Sequence, residues 1–359
     1  MAEKFNVTRE TLNRLLSLYN LSRREFIDLY GLQPLVYVPE LPRVAKLLFV
    51  ALYAVIFALA LAGNTLVVFV IVRRKCMRTA TNLFLCSLAC SDLLVTFFCI
   101  PFTLLQHVSS EWLGGQLGCK VLPCVQLVAV VSSTLTLSCI AMERYQGIVH
   151  PLRKKGQYTS RRACRMLGVV WTVSAIVGSP MLYVQTLKAE YDFLFDRHHV
   201  SCLESWPDLS LRRGYALFLL VALFLLPLGS MLLLYSRIGF ELWVRKRVGD
   251  SSSLNSFHRH DNGKSCRRKK RAVLMMVMVV LLFAVCWAPF HIVHMLFEYG
   301  VLADWCGEVT EKMWLAVVQA VAFSHSFNNP VLYAFMSRDF RQSFASLLPR
   351  PHRTHPTSH

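Results

Sequence analysis

The chain has 359 residues, of which 55% are hydrophobic and 17% are charged, and its mean hydropathy is +0.44. Soluble globular proteins average about 25% charged residues, so this composition excludes an ordinary soluble domain and indicates that lipid surrounds much of the chain. The formal net charge of +18 does not indicate a nucleic-acid-binding protein, because the basic residues fall in short gaps between apolar stretches and form no single basic face.

The first 44 residues carry two short amphipathic patterns. One contains Leu12 and Leu15 at helical spacing, and the other begins with Ser22 and Glu25 in the relation of a capping box and stops at Gly31. We therefore expect an extracellular helical hairpin in this tail. Since an apolar stripe outside the membrane needs a partner, the hairpin is expected to act as a lid on part of a ligand. The alternative is a frayed leader that packs on nothing.

Seven long apolar stretches follow the tail. A hydrocarbon core about 30 Å thick needs roughly 20 consecutive apolar residues in a helix. Runs of this length favour helices over barrel strands, because each backbone amide in lipid must be satisfied within its own segment. The predicted fold is an all-α membrane protein with a seven-transmembrane helix bundle over residues 45–337. The predicted spans are 47–72, 79–110, 121–142, 166–187, 215–236, 272–297 and 313–337.

The charges in the gaps predict the orientation of the bundle. Lys and Arg concentrate in the first, third and fifth gaps, which the positive-inside rule places in the cytoplasm. The N-terminus is therefore expected outside and the C-terminus inside, in a multi-pass protein of the plasma membrane. Asn6 and Asn20 each begin a glycosylation motif in the predicted external tail, so both are expected to carry glycans.

The twelve cysteines do not indicate six disulfides, since several lie inside apolar stretches where a thiol acts as a small hydrophobe. Cys119 and Cys202 both lie at predicted external ends, in an oxidising compartment, and are expected to pair. Cys306 is also external and has no evident partner.

Two cytoplasmic segments have distinct patterns. The gap 237–271 is expected to extend the flanking helices at both ends and to be disordered in its middle, at residues 249–264. Residues 338–359 are expected to begin with a short amphipathic helix. Its face, with Phe340 and Phe344 beside Arg338 and Arg341, is suited to the lipid of the inner leaflet.

Asp92 is the one charged residue inside the seven predicted spans. A carboxylate at that depth needs partners, and Ser133 and Asn329 are polar residues at comparable depth in other spans. They are expected to form a hydrated cluster that holds Asp92 and a small cation such as sodium. The alternative is a hydrogen-bonded cluster without an ion.

Short motifs mark all seven spans and follow one another in a definite order along the chain. They are Gly63-Asn64, Leu88 to Asp92, Trp112 with Gly115 and Cys119, Glu143-Arg144-Tyr145, Trp171, Pro227 with Tyr235, Cys286-Trp287-Ala288-Pro289 and Asn329-Pro330-Val331-Leu332-Tyr333. On these motifs the chain resembles rhodopsin-family G protein-coupled receptors over essentially its whole length. The resemblance implies a receptor that activates a heterotrimeric G protein, with no enzymatic activity and no cofactor other than the sodium ion considered above.

The resemblance also implies an activation switch. The implied switch residues are Glu143, Arg144, Tyr145, Tyr235, Phe283, Trp287, Pro289, Asn329, Pro330 and Tyr333. Arg144 is expected to pair with Glu143 at rest and to offer its donors to the G protein when released. Pro289 removes a backbone hydrogen bond and so supplies a hinge beside Trp287.

Longer stretches, such as 97–101, 167–171 and 283–291, resemble receptors for RFamide neuropeptides, in particular those for pyroglutamylated RFamide peptides. Gln126 stands where aminergic receptors of this family have Asp, which argues against an amine ligand. The implied ligand is a peptide ending in Arg-Phe-amide; receptors for neuropeptide FF- or neuropeptide Y-like peptides are the alternative.

The implied contacts divide the pocket by chemistry. Thr103, Gln126 and Gln319 are expected to bind the terminal amide, Glu204 and Glu298 the arginine, and Trp287, His291 and His294 the phenyl ring. The alternative for each glutamine is a packing role between helices.

Some features depart from the family or suit another class. His325 stands where the family usually has Asn, which weakens the expectation that sodium binds at Asp92. The short C-terminal tail has few hydroxyl residues, so strong arrestin recruitment by the tail is not assured.

An ion-coupled transporter that uses Asp92 is the alternative from another class, but the chain shows no internal repeat. The sequence shows no nucleophile matched with a general base and no spacing typical of metal ligands, so it gives no support for an enzyme.

Overall fold

The computed structural model describes residues 8–109, 111–150, 159–242, 256–301, 307–336 and 340–342. Two short helices and a two-stranded sheet accompany the seven long helices of a bundle. The helices are α1 (Arg9–Tyr19), α2 (Arg23–Tyr30), α3 (Arg43–Arg73), α4 (Ala80–Val108), α5 (Gly115–Val149), α6 (Ser160–Val184), α7 (Leu209–Phe240), α8 (Ser256–Glu298) and α9 (Glu308–Met336), and the strands are β1 (Gln185–Asp192) and β2 (Arg197–Glu204).

The helices α3 to α9 pack as one bundle. Helix α5 contacts α4, α6 and α7, and α9 joins α3 to α8. Among the described residues, α3 to α7 and the part of α8 from Lys270 are long and apolar enough to cross a membrane. Helix α9 is equally long, begins with charged residues, and packs against α3, α4 and α8. The predicted all-α, seven-helix architecture is confirmed.

The helix boundaries differ from the boundaries of the predicted spans. Helix α5 extends beyond the predicted span at both ends, to Gly115 and Val149, because a helix continues through charged residues where it leaves the lipid. The span predicted to end at Leu187 is too long, since α6 ends at Val184 and Leu187 lies in β1. π-helical turns, at Val95–Cys99 in α4 and Val221–Leu225 in α7, were also missed.

Only part of the two segments predicted to be cytoplasmic lies among the described residues. Helix α8 begins at Ser256, so the prediction of disorder over 249–264 is wrong from that residue onward. Phe340 is buried and its ring stacks on Tyr333 with centroids 5.6 Å apart. Arg341, the next residue, is helical and exposed, whereas Arg338 and Phe344 of the predicted amphipathic helix lie outside the described residues, as do Asn6 and Cys306.

The helical hairpin of the tail is confirmed. The Thr8 side chain accepts the first-turn amide of α1, Ser22 and Glu25 form a complete capping box at α2, and Gly31 ends α2 with φ at +56°. A left-handed residue at this position favours glycine, which lacks a Cβ. The bond to Ser22 lowers the pKa of the Glu25 carboxyl.

The hairpin helices pack on the turn of a β-hairpin that was not predicted. Strands β1 and β2 pair antiparallel from Gln185 opposite Glu204 to Asp192 opposite Arg197. Leu12 of α1, Phe26 of α2 and Leu194 of the β-turn form a small buried core. The expectation of a leader that packs on nothing is therefore excluded. We call α1, α2 and the β-hairpin the cap.

Polar contacts fix the cap to the chain that enters the bundle. Asp192 is buried, and its Oδ2 accepts the backbone amides of Leu35 at 2.9 Å and Val36 at 3.4 Å. Arg23 of α2 pairs with Asp196 of the β-turn at 3.1 Å. The Tyr191 hydroxyl donates to Asp196, and this bond, with the nearby Arg23 charge, lowers the pKa of the Asp196 carboxyl.

The predicted disulfide between Cys119 and Cys202 is confirmed, with the two Cα atoms 5.6 Å apart. It joins β2 to the outer end of α5. The backbone amide of Trp112, just before α5, also donates to the Val200 carbonyl of β2 at 2.7 Å. The β-hairpin is therefore held above the outer end of the bundle.

Candidate functional site

A cavity of about 680 Å³ lies between α4, α5, α7, α8 and α9, beneath the β-hairpin. This volume falls in the range of about 300 to 1,000 Å³ that is usual for ligand sites. Glu204, Gln185 and Arg212 line its outer part, and Trp287 and Phe283 line its deeper part. The cavity therefore carries its charged groups toward the β-hairpin and aromatic rings on its deep wall.

Seven of the eight predicted ligand-binding residues line this cavity. They are Thr103, Gln126, Glu204, Trp287, His291, His294 and Gln319. Glu298, the eighth, is buried and paired with Arg212. The structure thus places the predicted set together, with Glu298 reached only through its neighbours.

Glu204 is the one carboxylate among the described residues that line the cavity. Its Oε2 accepts from Trp206 Nε1 at 2.9 Å and its Oε1 accepts from Gln185 Nε2 at 3.4 Å. Both donors are neutral, so the charge of Glu204 remains uncompensated by them. The disulfide at Cys202, two residues earlier, fixes this carboxylate in place.

The polar groups deeper in the cavity can both donate and accept hydrogen bonds. Gln319 Oε1 lies 3.2 Å from His107 Nε2, and Thr103 is buried beside them on α4. Trp287 Nε1 is buried and has no hydrogen-bond partner among the described residues. A buried unpaired donor is costly, so this indole is suited to a ligand acceptor.

Aromatic rings form the deep wall of the cavity. Phe224 lies 4.6 Å from His291 between ring centroids, and Phe283 lies 6.0 Å from Phe224. The Phe283 and His325 rings also lie edge to face, with their centroids 5.2 Å apart. A ligand that contacts this wall therefore lies one aromatic layer from the Asp92 cluster.

Several lining residues were missed by the sequence. Among them are Phe102, Gln106, Gln185, Arg212, Phe224 and Phe290. Gln185 was assigned to a span, but it begins β1. Arg212 was assigned to an external gap, and its position three residues before an apolar stretch was the available signal.

The Asp92 cluster contains nitrogen groups close to the carboxylate. Asp92 Oδ2 accepts from Asn329 Nδ2 at 3.0 Å, and His325 Nδ1 lies 3.8 Å from Oδ1. Ser133 is buried on the facing α5. Hard cations take oxygen ligands, so an imidazole beside Asp92 fits a sodium ion poorly. The geometry favours the alternative of a hydrogen-bonded cluster, and sodium binding stays a prediction.

The acidic residue of the predicted switch is clamped between two helices. Thr81 of α4 donates to both Glu143 oxygens, at 2.9 and 2.7 Å. Arg144 Nε lies 3.8 Å from Glu143 Oε2 and has no hydrogen-bond partner among the described residues. Arg144 is thus held by charge attraction alone at this nitrogen, which suits an arginine that can be released.

The remaining switch residues lie along α7, α8 and α9. Tyr235 and Tyr333 are buried, and the Tyr333 hydroxyl has no hydrogen-bond partner among the described residues. Pro289 and Pro330 lie inside α8 and α9. A Cβ at Gly63 would lie 2.7 Å from Pro330 Cβ, so α3 and α9 approach closely because residue 63 is glycine. Tyr145, the last predicted member, packs against His150.

Comparison with known proteins identifies the family. The family described as 7 transmembrane receptor (rhodopsin family) matches residues 63–333. A pyroglutamylated RF-amide peptide receptor from Mus musculus is 56% identical, covering 96% of this chain and 79% of the mouse protein. A QRFP-like peptide receptor from Branchiostoma floridae is 45% identical over 97% of this chain and 90% of that protein.

More distant relatives include neuropeptide FF receptor 1 from Homo sapiens, which is 34% identical over 86% of this chain and 73% of the human protein. The resemblances inferred from the motifs are confirmed. The chain belongs to the rhodopsin family of seven-transmembrane receptors.

Proposed function

We propose that the chain is a plasma-membrane receptor for an amidated RFamide-type peptide of the pyroglutamylated class, and that it activates a heterotrimeric G protein. The observation that carries this proposal is the cavity. It combines one carboxylate whose described hydrogen-bond donors are both neutral, amide side chains and an aromatic wall, in a chain 56% identical to the mouse pyroglutamylated RF-amide peptide receptor.

The chemistry of an Arg-Phe-amide end matches these three parts. A primary amide both donates and accepts, as Gln126 and Gln319 do. A guanidinium has five donors and can form charge-assisted bonds with two carboxylates, here Glu204 in the cavity lining and Glu298 behind Arg212. A phenyl ring gains from burial against the Trp287 and Phe224 rings. Neuropeptide FF-like ligands remain the second candidate, supported by the more distant relatives.

Signalling requires that the peptide bind one receptor state more tightly than another, because equal affinity shifts no equilibrium. The phenyl contact with Trp287 would supply this difference, since Trp287 is two residues from the helix-bending Pro289. Opening at the cytoplasmic side would then release Arg144 from Glu143 and offer its donors to the G protein.

A direct test measures peptide-dependent nucleotide exchange on a purified G protein, in parallel with ion flux in vesicles that contain the receptor. We expect exchange with amidated Arg-Phe peptides and no flux. Flux without exchange would support the transporter alternative in place of the proposal. A peptide with a free C-terminal carboxylate serves as the control and is expected to fail.

Exchange of Glu204 or Gln126 for alanine should weaken the peptide response. A charge-assisted bond contributes about 1.5 to 3 kcal/mol, so Glu204→Ala should raise the half-maximal concentration by about ten- to a hundredfold. The measurement is a calcium or cyclic AMP dose response at matched surface expression. The control is Glu190→Ala, which removes an acid paired with Lys188 outside the cavity lining. Unchanged responses in both cavity variants would refute the assignment.

Loss of the cap should lower the potency of a long peptide more than that of a short one. Deletion of residues 1–31, or Leu12→Asp within the buried cap core, should weaken a long peptide at least about tenfold more than its C-terminal fragment, because only the long peptide extends to the cap. Leu18→Asp is the matched control, since Leu18 is 76% exposed. Equal losses for both peptides would leave the cap without a ligand role.

The two chain ends should lie on opposite sides of the plasma membrane. Antibody labelling of intact cells should detect a tag before residue 8 and detect a tag after residue 342 only once the cells are permeabilised. Digestion with a glycosidase should reduce the mass of the receptor through Asn6 and Asn20. Labelling of both tags on intact cells would contradict the proposed orientation.

A further inference from the structure

An ion pair joins the outer ends of α7 and α8. Arg212 Nη2 lies 2.6 Å and Arg212 Nε 3.0 Å from the same oxygen, Oε1, of Glu298. The other oxygen, Oε2, is buried and has no hydrogen-bond partner among the described residues. A guanidinium commonly binds both oxygens of a carboxylate, so half of the acceptor capacity of Glu298 is unused.

The two partners differ in exposure. The Glu298 side chain is 4% exposed, whereas the Arg212 side chain is 42% exposed and lines the cavity. His294, whose Nε2 lies 4.0 Å from Glu298 Oε1, also lines the cavity. Glu298 therefore meets the cavity through Arg212 and His294. A buried carboxylate with an unpaired oxygen is costly, so a second cation would stabilise it.

We propose that Arg212 is an internal competitor for the cationic residue of the peptide, and that the peptide guanidinium replaces Arg212 at Glu298. This inference rests on the proposed function. The exposure of Arg212 gives it solvent to move into, and its departure opens both Glu298 oxygens, including the unpartnered Oε2, to the incoming guanidinium. The exchange replaces one guanidinium with another, so the buried charge stays compensated.

The contact between the two helix ends survives this exchange. Arg213 Nε donates to the Glu298 backbone carbonyl at 3.2 Å, and the Arg213 guanidinium lies over the Tyr299 ring at 5.3 Å. Neither contact uses the Glu298 carboxylate. Arg212 can therefore lower peptide affinity by occupying Glu298 without being needed to join α7 to α8.

The experiment compares two peptides on four receptors in membranes from cells with matched surface expression. The peptides are an amidated Arg-Phe peptide and the same peptide with neutral citrulline for arginine. The receptors are the unmodified chain, Arg212→Gln, Glu298→Gln and the double variant. We expect Arg212→Gln to raise the affinity for the arginine peptide about tenfold, or about 1.4 kcal/mol, and to leave the citrulline peptide unchanged.

The background without Glu298 tests whether that gain depends on the carboxylate. In Glu298→Gln, the further change Arg212→Gln should give no gain. An equal gain in that background, an equal gain for both peptides, or no gain at all would overturn the proposal. An equal loss for both peptides would instead make Arg212 a structural tie.

A second variant keeps the proposal testable if Arg212→Gln reaches the cell surface poorly. Arg212→Lys keeps the charge but loses the paired donors of the guanidinium, so it should give a gain of about threefold for the arginine peptide. No gain with Arg212→Lys would also overturn the proposal. Failure of the unmodified receptor to bind either peptide would refute the proposed function and would be distinguishable from these outcomes.

Discussion

Replacement of Arg144 with alanine is expected to abolish G protein activation while peptide binding is retained. Arg144 lies near the C-terminal end of α5, one residue after Glu143, and the last cavity-lining residue of that helix, Thr134, lies about 15 Å away at a rise of about 1.5 Å per residue. A released guanidinium can form several charge-assisted bonds worth about 1.5 to 3 kcal/mol each, and loss of two would reduce coupling by more than about a hundredfold. Nucleotide exchange on the purified G protein is the measurement.

The neighbouring residues supply the controls. Arg161→Ala removes an exposed arginine at the start of α6 and should leave exchange unchanged. Glu143→Gln should raise exchange without peptide, because Arg144 loses the charge that holds it 3.8 Å away. Normal exchange in Arg144→Ala would refute its role at the G protein, and lost peptide binding would place the defect in folding.

Replacement of Cys119 with serine is expected to remove peptide binding at the cell surface. The disulfide closes a loop with a sequence separation of 83 residues, and such closures contribute about 4 to 5 kcal/mol in the chain-entropy account. Without it, β2 is no longer fixed to α5, so Glu204 loses its position at the cavity. We expect a loss of affinity of at least about a hundredfold, measured by displacement of a labelled peptide.

Cys164→Ser is the matched control, since Cys164 is free and exposed. The double change of Cys119 and Cys202 to serine should resemble either single change, because each single change already breaks the same bond. A peptide affinity that is unchanged in Cys119→Ser would show that the other contacts of β2, such as the Trp112 bond to Val200, suffice.

The bundle could be predicted because a long apolar segment in lipid must satisfy its backbone hydrogen bonds internally, and a helix does this. The cap helices could be predicted because their signals are local, as the Ser22 and Glu25 capping box shows. Seven lining residues of the cavity could be predicted only through resemblance to a family. No local pattern brings Thr103 of α4 and Gln319 of α9 together, since their approach depends on the whole bundle.

The β-hairpin could not be predicted, because its strands lack a clean alternation of apolar and polar residues. A two-stranded hairpin is marginal by itself. Here it is stabilised by the disulfide at Cys202, the buried Asp192 and the cap core around Leu194, all of which join residues far apart in the chain. The pairing of Glu298 with Arg212 was hidden for the same reason, since 86 residues separate them.

The cap core around Leu194 has a consequence for the divergence of such receptors. Helices α1 and α2 pack on the β-turn at residues 193–195, whereas the hairpin contributes to the cavity only at the opposite ends of its strands, near Gln185 and Glu204. The cap core can therefore diverge between related receptors while the residues that line the cavity stay unchanged.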